Sequence, residues 1–113
     1  MKGNQLATLQ SSAKIDRRFA ARHPARKVWL RPATPAERKL FQAQSGESVP
    51  DGLSLCLVIV RRDPDFLCVP FASTTPDVAS ATEAGAATVA AAALQAYHEG
   101  TIAMICPRES VKC

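Results

Sequence analysis

Apolar residues are densest between Leu53 and Ala72. Leu53-Ser54-Leu55-Cys56-Leu57-Val58-Ile59-Val60 and Phe66-Leu67-Cys68-Val69-Pro70-Phe71-Ala72 flank the polar stretch Arg61-Arg62-Asp63-Pro64-Asp65. Two short runs rich in β-branched and aromatic residues around a polar turn predict a β-hairpin. Asp63 before Pro64 predicts a type I turn between them. The first run is apolar at both alternating sets of positions, so this strand calls for cover on both faces.

Upstream, Ile15 and Phe19 stand four apart in an otherwise polar stretch. They predict a helix over Ala13 to Arg22, capped by Ser11 or Ser12, with Arg17, Arg18 and Arg22 on its outer side. Pro24 ends it. Lys27-Val28-Trp29-Leu30-Arg31 alternates as a strand, Val28 and Leu30 to one face and Lys27, Trp29 and Arg31 to the other. Thr34-Pro35-Ala36-Glu37 is a capping box with proline at the first helical position, opening a helix to about Gln44 with Leu40 and Phe41 as its apolar contacts. Residues 45–52 read as a loop.

Beyond the hairpin, Thr75-Pro76 starts a further helix that Gly85 divides. Its second part runs to His98 and packs through Ala86, Val89, Ala90, Ala93, Leu94 and Tyr97. Gly100 is placed to terminate it. Thr101 to Cys106 is a fourth strand candidate.

The element order resembles the β-α-β-β-α-β plan of ferredoxin-like domains. Pro70 argues against that plan, because proline belongs at a sheet edge. The expectation is therefore an α+β domain: a small antiparallel sheet of three to four strands, Phe66–Ala72 at its edge, with helices packed mainly on one face. Residues 1–11 read as a disordered N-terminus, 12–106 as the single domain and 107–113 as a flexible tail.

A chain of 113 residues suits one domain. Four cysteines without C-x-x-C spacing read as reduced thiols. With no apolar leader at the N-terminus and no run apolar enough to span a bilayer, the expectation is a cytoplasmic protein without membrane contact. Charge changes the picture more. Between Lys14 and Lys39 nine cations face only Asp16 and Glu37, a local charge of +7 within a chain of net +4. Such a segment attracts phosphates or an acidic surface, unless it is simply a solvated face.

The Lys27/Trp29/Arg31 face is the leading functional candidate, joined by Arg17, Arg18, Arg22 and Arg26. An aromatic between cations can stack a base over its held phosphates or anchor an interface. The structural alternative packs Trp29 under a helix while the cations extend past it. Phe66, Val69 and Phe71 match parts of an RNA-recognition motif, but Pro64-Asp65 and Cys68 occupy its basic-glycine and aromatic positions.

Catalytic patterns are missing: no G-x-S-x-G, P-loop or G-x-G-x-x-G. His23 and His98 sit at helix ends, where structure accounts for them. Cys56 and Cys68 fall in buried strands, and no sequence neighbour activates Cys106 or Cys113. The four cysteines lack zinc-site spacing. The chain reads as non-enzymatic, without cofactor or metal.

Ile15-Asp16-Arg17-Arg18-Phe19-Ala20-Ala21-Arg22-His23-Pro24, followed by Val28-Trp29-Leu30-Arg31-Pro32-Ala33-Thr34-Pro35-Ala36-Glu37 and loosely by Leu57-Val58-Ile59-Val60-Arg61, resembles small uncharacterised proteins of bacterial phages and mobile elements. The resemblance covers less than half the chain and carries over no functional residue. It implies a non-catalytic protein that binds and modulates or inhibits a host protein or nucleoprotein complex, with anti-CRISPR-like inhibition as the most concrete version. The alternative is a nucleic-acid-binding domain acting on DNA or RNA phosphates through residues 14–39. The small-residue helix leaves room for a homodimer.

Overall fold

The computed structural model describes residues 12–46 and 49–105. The expected disordered N-terminus (1–11) and flexible tail (107–113) lie outside the described residues, as does Cys106. The chain runs α1 (Ala13–Arg22), β1 (Val28–Pro32), α2 (Pro35–Ser45), β2 (Ser54–Arg62), β3 (Asp65–Ser73), α3 (Thr75–Ala79), α4 (Glu83–His98) and β4 (Ala103–Met104). The α+β class holds. No helix among the described residues is long and apolar enough to cross a membrane.

The sheet has four strands in the order β1-β2-β3-β4. β1 and β2 pair antiparallel with Trp29 opposite Ile59, and β2 and β3 pair antiparallel with Val58 opposite Val69. β4 lies parallel to β3 at Phe71 and Ala72, so the sheet is mixed rather than antiparallel, and β3 is not an edge along its whole length. The physical reason is the α3–α4 crossover, which returns the chain in the direction of β3, as a parallel connection requires. Pro70 lies just before the two-residue stretch that β4 covers, so its missing N–H deprives β4 of nothing. The hairpin loop is Asp63-Pro64 alone, and its peptide bond is cis, which a type I turn does not contain.

Helices cover both faces, which corrects the one-face arrangement. Ala20 of α1 and Phe41 of α2 join Trp29, Leu55, Leu57 and Ile59 on one side. Val78 of α3 and Ala86, Val89, Ala90 and Ala93 of α4 join Leu30, Cys56, Val58, Val69 and Phe71 on the other. The cause is β2: five consecutive residues, Leu55 to Ile59, are buried, and only two covered faces can accommodate both alternating sets.

Several local expectations shift by a residue or two. α1 turns Asp16 and Ala20 inward and leaves Ile15 44% exposed, because Asp16 has a charged partner in the core. Leu40 is likewise exposed while Phe41 is buried. The break between α3 and α4 falls at residues 80–82 rather than at Gly85. There the Thr82 hydroxyl accepts from the Gly85 N–H and starts α4 anew. Gly100, at φ 80°, supplies the left-handed residue just beyond α4.

Candidate functional site

Arg31 leaves β1 toward the side covered by α1 and α2, where it meets both acids of the basic segment. Its Nε and one Nη donate to Asp16 of α1 at 3.0 and 3.1 Å, and both Nη donate to Glu37 of α2 at 2.8 and 2.7 Å. A further bond runs from Nη1 to the Pro32 carbonyl at 3.1 Å. All five guanidinium N–H groups are thereby occupied. Asp16 is fully buried, Glu37 is 4% exposed, and the Arg31 side chain is 12% exposed.

Glu37 is held from every side. Its other bonds come from the backbone N–H of Thr34, which completes the capping box, and from that of Ser12 at the start of α1. Burial alone would raise its pKa. The Arg31 hydrogen bonds, the two backbone donors and the Arg31 charge outweigh burial and hold the carboxyl below the usual carboxylate range. Arg31 shows the same balance with opposite sign: burial works against its charge, and the two carboxylates raise its pKa further. The Trp29 indole N–H also points at Asp16, at 3.4 Å.

This geometry withdraws two residues from the candidate set. Trp29 is only 2% exposed, stacked on Phe19 at 4.7 Å and met edge-on by Phe66. Arg31 shares its strand face as expected, but that face looks into the core because α1 and α2 cover it. The Trp29–Arg31 face is a buried clamp, not an open platform.

The other candidates separate into used and free cations. Arg26 is half-buried and donates to the carbonyls of Val28 and Ala81. Lys27 is exposed, and its backbone N–H donates to Glu83 at 2.7 Å. Arg17, Arg18 and Arg22 are all exposed on α1, and Lys14 stands with them one turn earlier. Lys14, Arg18 and Arg22 are spaced i, i+4 and i+8, a row roughly 12 Å long at 1.5 Å rise per residue, with Arg17 beside it. Among the described residues, none of these four side chains has a hydrogen-bond or ion-pair partner. The structure therefore brings Arg17, Arg18 and Arg22 onto one helix and disperses Arg26, Trp29 and Arg31 into structural roles.

Arg61 is the residue that reading by segment missed. From the end of β2 its guanidinium donates to the carbonyls of Arg26, His23 and Ala20, and it lies 5.9 Å from the Trp29 ring centroid. It thus caps the C-terminal end of α1 and pins the chain entering β1. The signal was available in strand register, which sets Arg61 across from Lys27, but not in local composition.

The remaining chemistry is sparse. Cys56 is buried, and burial pushes its thiol up to about 11, which makes it a poor nucleophile. Cys68 is buried as well. Among the described residues no group of three His, Cys, Asp or Glu side chains is placed to hold a metal. A cleft of about 290 Å³ beside Phe41 and Leu55 contains one charged side chain, Arg38, which is bonded to the Ala33 carbonyl. The site with the clearest electrostatic character is thus the outer face of α1. No protein-family model, no curated protein and no solved structure matches this chain.

Proposed function

We propose that this chain is a non-catalytic binding module whose contact surface is the cationic outer face of α1. Its partner presents nucleic-acid phosphates, bare or within a nucleoprotein complex of a host. One observation carries the reading: Lys14, Arg17, Arg18 and Arg22 stand exposed on one short helix, their side chains without a partner among the described residues. Like charges at i, i+4 cost an isolated helix about 0.2–0.5 kcal/mol per pair, and α1 contains two such pairs, Lys14–Arg18 and Arg18–Arg22. A local arrangement that opposes its own helix is expected where the surface serves a partner.

The two acids of the segment strengthen the case. Both point inward and are bonded to Arg31, so the outer face carries no acid of the segment. The anti-CRISPR-like version, inhibition of a host nucleoprotein, uses the same face. A protein partner anchored on Trp29 loses its anchor, since that ring is buried.

The test is fluorescence anisotropy of labelled nucleic acid across a salt series. Engagement of all four cations on duplex DNA gives a log–log slope of about −3.6. Arg18→Glu with Arg22→Glu should remove binding while circular dichroism stays unchanged. Absent or salt-insensitive binding by the wild-type chain rules the proposal out. Affinity capture from bacterial lysate, with and without nuclease, then separates bare nucleic acid from a nucleoprotein partner.

A further inference from the structure

We infer that the nucleic acid held on α1 is a duplex, gripped along its phosphates, rather than a single strand held by its bases; this rests on the phosphate reading above. The observation is a complete inventory of rings. The chain contains one Trp, one Tyr and four Phe. All six, Phe19, Trp29, Phe41, Phe66, Phe71 and Tyr97, fall among the described residues, and none is exposed. Trp29, Phe41 and Phe71 are buried, and Phe19, Phe66 and Tyr97 are half-buried against the core.

Single-strand binders without sequence preference combine a cationic track with open aromatic faces on which bases stack. Phe19, which lies within the track, is half-buried with its ring stacked on Trp29, and Trp29 in turn carries a T-shaped contact with Phe66 and the Arg61 guanidinium over its ring. His23 and His98 are exposed rings. His23 packs on Phe19 at 4.5 Å between ring centroids, and His98 ends α4 on the opposite side of the sheet. At most one exposed ring, His23, therefore adjoins the cations.

The cations themselves favour a regular partner. α1 is tied down in its middle by Asp16 to Arg31 and at its end by Arg61, so the spacing of Lys14, Arg18 and Arg22 is preset. The row offers a cation every ~6 Å of helix rise, and a duplex strand presents its phosphates in a regular array fixed by base pairing. A duplex arrives with that array already ordered. A single strand has to be ordered on binding, and this surface offers it little stacking in return.

The experiment is anisotropy with the full chain at fixed low salt. A short mixed-sequence duplex is compared with a single strand carrying the same number of phosphates. Duplex binding should be roughly tenfold tighter, the order of one stacked base withheld from the single strand. His23→Ala should leave duplex affinity within about twofold, because phosphate contacts and not that ring supply it. Equal or tighter binding of the single strand, lowered by His23→Ala, overturns the inference and assigns base stacking to His23. Binding of neither form removes the phosphate reading itself, and this inference with it.

Discussion

On one side of the sheet, α4 meets Cys56, Val58, Val69 and Phe71 through Ala86, Val89, Ala90 and Ala93, with no charged group among those buried residues. On the other, α1 buries only Asp16 and Ala20, and α2 only Glu37 and Phe41. Small side chains let α4 lie close against the strands over sixteen residues, and apolar burial holds it. α1 has ten residues, five of them charged, and too little apolar surface for that mode of attachment. Its position comes from a saturated ion cluster, a Phe19–Trp29 stack and the Arg61 cap. The contrast teaches that a helix can be presented with only cations among its outward charges if its inside is fastened by directional polar contacts. Buried ion pairs of this kind define geometry more than they add net stability.

The largest effect expected from this contrast is at the clamp. Arg31→Ala leaves Asp16 and Glu37 buried without their counter-charge and should cost about 3–5 kcal/mol in urea unfolding. Replacing Asp16, Arg31 and Glu37 together by Leu, Met and Gln should cost clearly less than Arg31→Ala alone. If the triple replacement were the worse of the two, the clamp would be a source of net stability and the comparison would need restating.

Acid reaches the same clamp without a mutation. Glu37 has a folded-state pKa below its unfolded one, so its contribution is fully present above the ordinary Glu range. It is lost as pH falls through the depressed folded value. Stability of the wild-type chain should drop on that acid limb, and Glu37→Gln should flatten the drop. An identical pH profile for both proteins would show that Glu37 is not a source of it.

The α4 side should respond to size instead of charge. Ala93→Leu forces extra volume against β2 and β3 and should cost about 1–3 kcal/mol, whereas Ala91→Leu on the exposed side should change stability by less than about 0.5 kcal/mol. Equal effects at the two positions would contradict close packing of that face.

The smallest effect has the opposite sign. Arg18→Glu converts two like-charge pairs on α1 into attractive ones and should raise stability by a few tenths of a kcal/mol for each pair. The same variant should weaken nucleic-acid binding. Gain of stability with loss of binding is the signature of a surface arranged for a partner, and loss of both would point to a structural role for Arg18.

Much of the framework was legible because its signals are local. The apolar runs of the hairpin, the alternation of Val28 to Arg31, the Thr34–Glu37 capping box and Gly100 each act within a few residues, and each appears where the pattern places it. The departures that shape the sheet and the site involve partners distant in sequence. Ile15 looked like the inward residue of α1 by hydropathy alone. Asp16 takes that place because Arg31 lies fifteen residues away in sequence but 3.0 Å away in space. β4 is parallel because a crossover of two helices returns the chain, which no property of Ala103 or Met104 could reveal.

The candidate site divides on the same line. Its cationic character is written in the composition of residues 14–39, and the outward side of α1 follows from helical period. Whether a given cation is free depends on which carboxylates and carbonyls other elements bring to it: Asp16 and Glu37 to Arg31, Ala81 to Arg26, and the end of α1 to Arg61. The sequence by itself determined the elements, the α+β class and the dense positive charge, because helical and strand periods and turn chemistry are short-range properties. Only the tertiary structure decided that Trp29 is sealed, that Arg31 is a clamp and that Lys14, Arg17, Arg18 and Arg22 find no partner among the described residues, because burial and ion pairing depend on contacts across the fold.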